Sequence, residues 1–121
     1  MVKALLDTNI LLDYLKAIPA AQREIARYGD PAISIITRIE VLIGAPSNLE
    51  PGIRSFLDRF LMVPLDDSVA EQAVLLRRNH RLKLGDAIIW ASARTQGRLF
   101  VTRDAKDFPR NEPGIRMPYK L

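Results

Sequence analysis

A chain of 121 residues with 48% hydrophobic side chains can bury the core of one globular domain and is too short for a second. It has no cysteine and one histidine, His80, which excludes disulfides, thiolate zinc sites, cysteine nucleophiles and histidine-rich metal sites and leaves carboxylates, hydroxyls and basic groups to carry any chemistry. No run approaches the roughly 20 apolar residues of a membrane span or forms a secretory signal, so a cytoplasmic chain is expected; the net charge of +4, mostly arginine, favours a polyanionic partner.

The run Val2 to Leu6 is short and apolar and ends at Asp7 and Thr8, which predicts a buried strand followed by a helix start, with Asn9 to Leu15 as an apolar helix. Pro19 opens a second helix, Ala20 to Tyr28, which Gly29, Asp30 and Pro31 terminate. Ala32 to Ile36 reads as the second strand and Thr37 to Ile43 as a helix ended by Gly44, Ala45 and Pro46. A helix from about Leu49 to Phe60 precedes a brief third strand, Leu61 to Val63, and Asp67 is expected to cap a helix from Ser68 towards Asn79. Gly85 and Asp86 open an apolar helix, Ala87 to Gln96, stopped by Gly97. Leu99 to Val101 is the fourth strand, and Ile115 to Met117 a short last one after a turn-rich segment. Continuous apolar strands alternating with helices imply a parallel sheet covered on both faces: a three-layer α/β/α sandwich, as one domain, with a mostly parallel sheet of four to five strands.

Ligands of such sheets gather beyond the carboxyl ends of the strands. Asp7 ends the first strand, Glu40 lies one turn into the helix after the second, and Asp104 follows the fourth. Asp86 opens the helix that feeds the fourth strand, and on this reading starts at the opposite edge unless the preceding loop brings it up. Converging carboxylates repel one another unless a cation joins them, and oxygen-only ligation points to Mg2+ or Mn2+, ions suited to phosphodiester hydrolysis. Each acid also has a structural explanation. Asp7 could cap the first helix, Thr37 and Glu40 match a capping box, Asp86 could serve the dipole of its helix, and Asp104 could be a turn residue.

The basic stretch Arg77, Arg78, Arg81 and Lys83 is either a solvated helix end or a strip for phosphate contacts, with Arg38, Arg94 and Arg103 as further candidates. His80 reads as a surface residue, and Trp90 and Phe100 as core.

In order, Leu5-Leu6-Asp7-Thr8-Asn9-Ile10-Leu11-Leu12-Asp13, then Ser34-x-x-Thr37-x-x-Glu40-x-x-x-Gly44, then Gly85-Asp86-Ala87-Ile88-Ile89-x-Ala91, then Thr102-Arg103-Asp104-Ala105-Lys106-Asp107-Phe108 resemble the motifs of the PIN-domain nucleases, and within them of the VapC toxins. The resemblance implies that Asp7, Glu40, Asp86 and Asp104 bind the metal, that Asp107 is an auxiliary acid, and that Thr8, Asn9 and Thr102 orient carboxylates or water. It places the start of the Asp86 helix beside the other acids. It further implies endonucleolytic RNA cleavage by a metal-activated water, a homodimer, and an antitoxin that presents an arginine to the acids. Ile39 and Ile43 are then candidates for dimer or antitoxin packing, with core packing as the alternative.

Two other classes compete. A receiver-type signalling domain has similar size and binds magnesium, and Asp66, Asp67 and Lys106 could imitate its phosphoacceptor and lysine; a lone acid after the first strand speaks against it. A PIN-like module that only binds RNA or protein is the other, and the complete set of mutually repelling acids argues against that.

Overall fold

The structure, a computed structural model, describes residues 2–121. Five strands, β1 (Ala4–Leu6), β2 (Ala32–Ser34), β3 (Leu61–Val63), β4 (Leu99–Val101) and β5 (Ile115–Arg116), form one sheet in the order β3-β2-β1-β4-β5 with every neighbouring pair parallel. Among the described residues six helices accompany them: α1 (Thr8–Leu15), α2 (Pro19–Ala26), α3 (Ile35–Ile43), α4 (Glu50–Leu57), α5 (Asp67–His80) and α6 (Leu84–Thr95).

Side chains alternate across a strand, and the central strand divides its three accordingly. Ala4 and Leu6 pack with Ile33 and Val101 against Ile10 and Leu11 of α1, Ile25 of α2, Val41 of α3 and Phe56 and Leu57 of α4. Leu5 faces the other way and packs with Phe100 against Val69, Ala73 and Leu76 of α5 and the buried run Ala87–Ala91 of α6. All three β1 residues are fully buried, which is why this strand is apolar without alternation. Trp90 and Phe100 are core, as expected. Among the described residues no helix is long and apolar enough to cross a membrane.

Three of the boundaries that differ from the sequence reading bear on the polar residues near the site. β2 stops at Ser34, whose side chain accepts from the Ile36 N–H at 3.1 Å and caps a helix that starts at Ile35. Ser34 pairs with Val63, the last residue of β3, so the ladder ends there and a good capping residue takes over. Thr37 and Glu40 therefore lie inside the helix and form no capping box. Asp66, and not Asp67, caps α5 by accepting from the Val69 N–H at 2.9 Å. α6 starts at Leu84, so Asp86 occupies its first turn.

Arg81 ends α5 in the left-handed region at φ 53°, letting residues 81–83 turn the chain back into a helical hairpin. Gly97, at φ +62°, makes the corresponding turn after α6, where any Cβ would be strained. His80 is half-buried against Trp90, ring centroids 4.9 Å apart, and not the surface residue expected. Ile39 and Ile43 are 46% and 80% exposed, which removes core packing as their explanation.

Candidate metal centre

β1 leads to β2 on one side and has β4 on the other, so the sheet order reverses direction between β1 and β4. Crossover loops part at such a point and leave a crevice at the carboxyl edge. Leu6 pairs with Val101, which brings the next residues of the two strands, Asp7 and Thr102, side by side although 95 positions separate them.

Asp7 is 4% exposed. One carboxylate oxygen accepts from the Thr8 N–H at 2.8 Å, capping α1. The other accepts from the Thr102 hydroxyl at 2.7 Å and the Asn9 amide at 3.2 Å. Asp7 thus caps α1 at the mouth of the crevice, so the two explanations offered for it are not exclusive. Burial pushes its pKa up to about 7; the bonds from Thr102 and Thr8 oppose this, while the charges of Asp86 and Glu40 add to it.

Asp86, Asp104 and Asp107 each present a carboxylate oxygen within 4.8 Å of the others. Asp86 is raised in pKa by burial first, then by the charges of Asp104, Asp107 and Glu40. The strand that α6 feeds puts Asp86 at the opposite edge unless the preceding loop brings it up, and the structure sets it beside Asp104 and Asp107: a helix that feeds the amino end of a strand runs antiparallel to the strands and begins at their carboxyl edge. Asp104 also behaves as a turn residue, with one oxygen accepting from the Lys106 and Asp107 N–H groups at 3.1 Å each.

Glu40 reaches the group through Thr8, whose hydroxyl donates to the Glu40 carboxylate at 2.7 Å and lies 2.9 Å from the Thr37 hydroxyl. Asn9 links the two sides, donating to Asp7 and to Thr102 and accepting from the Arg103 N–H at 3.3 Å. Hydrogen bonds thus join Asp7, Thr8, Asn9, Glu40, Thr102 and the Asp104 backbone in one network, beside the three-carboxylate group of Asp86, Asp104 and Asp107, to which Asp7 and Glu40 do not belong.

The basic candidates scatter. Lys83 is the N-cap residue of α6, three positions before Asp86, and its charge lowers the Asp86 pKa. Arg38 is held by Asp58 at 3.0 Å, Arg94 lies over the Trp90 ring, and Arg77 and Arg78 line an apolar groove of about 500 Å³ with Leu65, Val74 and Leu84. Arg103 is engaged with Asp13. Two buried acids outside the sequence-derived set are Asp13, 1% exposed, and Glu24, 4% exposed, the latter forked by Arg116 at 2.8 and 3.0 Å.

An all-carboxylate group with one member driven towards neutrality by burial and by its neighbours suits a hard divalent cation, which would restore the ionised state of every member. The Thr102 hydrogen bond is the strongest influence holding Asp7 down. Thr102→Val, isosteric at a fully buried position, is therefore expected to move the Asp7 titration midpoint above 7 in the metal-free protein, read from its carboxyl carbon by NMR.

The sequence profile of the PIN domain matches residues 4–112. A VapC described as a tRNA(fMet)-specific endonuclease, from Shigella flexneri, is 30% identical over 91% of this chain and 92% of its own length. Among solved structures, a toxin–antitoxin complex from Klebsiella pneumoniae contains a chain 38% identical with a TM-score of 0.92, covering 98% of this chain and 99% of that one. A DNA-bound VapBC from Salmonella typhimurium matches at 25% identity and TM-score 0.75, covering 96% of each chain. The chain belongs to the PIN-domain family, and within it to the VapC type. Membership removes the receiver alternative, in keeping with the use of Asp66 as a helix cap.

Proposed function

We propose that this protein is a divalent-metal-dependent endoribonuclease, the toxin of a toxin–antitoxin pair, with Asp7, Glu40, Asp86 and Asp104 as its metal-binding acids and Asp107 as an auxiliary one. The observation that carries the reading is the convergence of Asp86, Asp104 and Asp107 within 4.8 Å beside buried Asp7, at the point where the sheet reverses its strand order. The Shigella relative's activity on a transfer RNA supports RNA as the substrate class.

The division of labour follows from the hydrogen bonds. Thr102, Asn9 and the Thr8 N–H saturate much of Asp7 and fix its orientation, leaving its remaining lone pairs for a cation. Thr8 holds the Glu40 carboxylate at the rim, where it can orient a water and take its proton. Bound there, Mg2+ or Mn2+ would supply Lewis acidity towards a phosphate oxygen and lower the pKa of the attacking water. Lys83 is the sequence-derived cation best placed to meet a phosphate near the acids, with Arg77, Arg78 and Arg81 further along the α5–α6 hairpin. Arg38 and Arg103, already paired, are poorer RNA contacts. An antitoxin arginine placed among the acids would offset their repulsion as a metal does. Exposed Ile39 and Ile43 on α3 are our candidates for packing against that antitoxin or a second copy.

The test is cleavage of a structured RNA pool, transfer RNA included, by antitoxin-free protein in Mg2+, Mn2+ or chelator. Defined cuts that need the metal and fall by about a hundredfold or more in Asp86→Asn are expected, since even supporting residues of metal sites cost about 10–100-fold. Cleavage that persists in chelator or in Asp86→Asn would overturn the assignment.

A further inference from the structure

We propose that Asp13 and Tyr119 are positioning residues for the acidic site, acting through Arg103 to fix the segment that carries Asp104 and Asp107. The proposal rests on the reading of those acids as metal ligands.

Residues 103–107 follow β4 outside the sheet. The last ladder-like bond in this direction is the Thr102 N–H donating to the Arg116 carbonyl at 3.0 Å. Beyond it the segment folds on itself: the Thr102 hydroxyl accepts from the Asp104 N–H, and Asp104 from Lys106 and Asp107. Such bonds shape a turn without fixing where it stands. Phe108, 3% exposed against Phe100 and Trp90, anchors the far end of the segment in the core, and its near end is placed by two ties to α1, the bond from the Arg103 N–H to Asn9 and the Arg103 guanidinium, whose Nε and Nη2 fork onto the two Asp13 oxygens. The fork is planar and bidentate, so it sets direction as well as distance.

Asp13 is 1% exposed on α1, six residues from Asp7. About 9 Å of helix rise at about 1.5 Å per residue separates them. One rigid helix therefore holds Asp7 at its N-terminus and, two turns on, the anchor of the segment bearing the other carboxylates. The Tyr119 hydroxyl donates to Asp13 at 2.8 Å, so the C-terminal segment completes the anchor. Burial works against an ionised Asp13, yet the Arg103 fork and Tyr119 outweigh it and hold its carboxyl below the usual value. A buried ion pair stabilises little compared with apolar packing of the same volume. Its geometric definition is what apolar side chains at these positions would lack.

Glu24 and Arg116 make an equally buried fork between α2 and β5, but Arg116 already stands in the sheet opposite Val101. That pair is the control. Mn2+ affinity by calorimetry and backbone amide exchange should be measured on Tyr119→Phe, Asp13→Asn and Glu24→Gln, with KM for RNA at saturating Mn2+. We expect Mn2+ binding weaker by about tenfold in Tyr119→Phe and up to about a hundredfold in Asp13→Asn, faster exchange confined to residues 103–107, and unchanged KM. Glu24→Gln should lower the melting temperature and leave Mn2+ affinity in place. Wild-type affinity and exchange in Tyr119→Phe and Asp13→Asn would overturn the proposal, as would equal weakening in Glu24→Gln. If the wild-type protein binds no Mn2+, the metal reading fails, and amide exchange alone decides this one: protection lost at 103–107 supports it, and unchanged protection overturns it.

Discussion

Asp7→Asn is expected to stabilise the metal-free protein at pH 8 while abolishing metal-dependent RNA cleavage. In the folded chain the Asp7 carboxyl is raised from an ordinary 3.8 to about 7. A raised carboxyl contributes its stability below pH 4 and loses it as the pH climbs through 7, because the folded state then holds a charge that the unfolded chain carries at less cost. About three pKa units correspond to about 4 kcal/mol at most, and about 2–4 kcal/mol is expected once the weaker hydrogen bonds of an amide are counted. The measurement is thermal unfolding of wild-type and Asp7→Asn protein in chelator from pH 4 to 8. The gap should open as the pH rises and close again for the wild type when Mn2+ is added at pH 8. A wild-type protein equally stable at pH 4 and 8, with Asp7→Asn no more stable than it, would show that Asp7 is ionised without strain.

Glu24→Gln is expected to act in the opposite direction. Burial raises the cost of the Glu24 charge, but the Arg116 fork and the Tyr28 hydroxyl, which donates at 2.6 Å, outweigh it and hold the carboxyl below its ordinary 4.5. A depressed carboxyl contributes stability above its unfolded pKa and loses it as the pH falls through the folded value. Removing the charge leaves Arg116, about a third exposed, without its partner. Breaking such pairs costs about 3–5 kcal/mol when both members are buried; with Arg116 partly in water, about 3 kcal/mol is expected at pH 7. That corresponds to a fall of roughly 10 °C in melting temperature for a chain of this size. As the pH falls below the ordinary carboxylate range the difference should shrink, because Glu24 then protonates in the wild type. A loss under 1 kcal/mol at pH 7 would mean that solvent supports Arg116 as well as Glu24 does.

β3, whose Leu61 and Met62 are about half exposed, and β5, Ile115–Arg116, are legible in the sequence only from their place in the alternation of strands and helices. The apolar runs suffice to read β1, β2 and β4, because a strand buried on both faces has little other composition available. Asp7 could be placed at a strand end for the same reason. Glu40 was harder, because Thr37-x-x-Glu40 satisfies the capping pattern by itself. What decides against it is Ser34, three residues earlier, which also caps well and sits where β3 runs out of residues to pair. The strand that α6 feeds leaves the edge of Asp86 open, whereas the antiparallel run of a crossover helix puts it at the carboxyl edge. The forks of Asp13 and Glu24 could not be read locally: their partners lie about 90 residues away, and on an amphipathic helix a buried acid looks like a solvated one. The same pairing explains why Arg103, basic and beside an acid of the site, read as an RNA contact.

The pairing of β1 with β4 also governs when the site comes into being. A chain emerging from the ribosome presents Asp7 and Glu40 well before residues 99–107 are available, and until then β1 lacks the neighbour that supplies Thr102. Long-range strand pairing of this kind is completed only when the later partner arrives. The group of Asp86, Asp104 and Asp107 therefore cannot form until residues 104–107 have been made, and Asp7 lacks its Thr102 partner until β4 is in place.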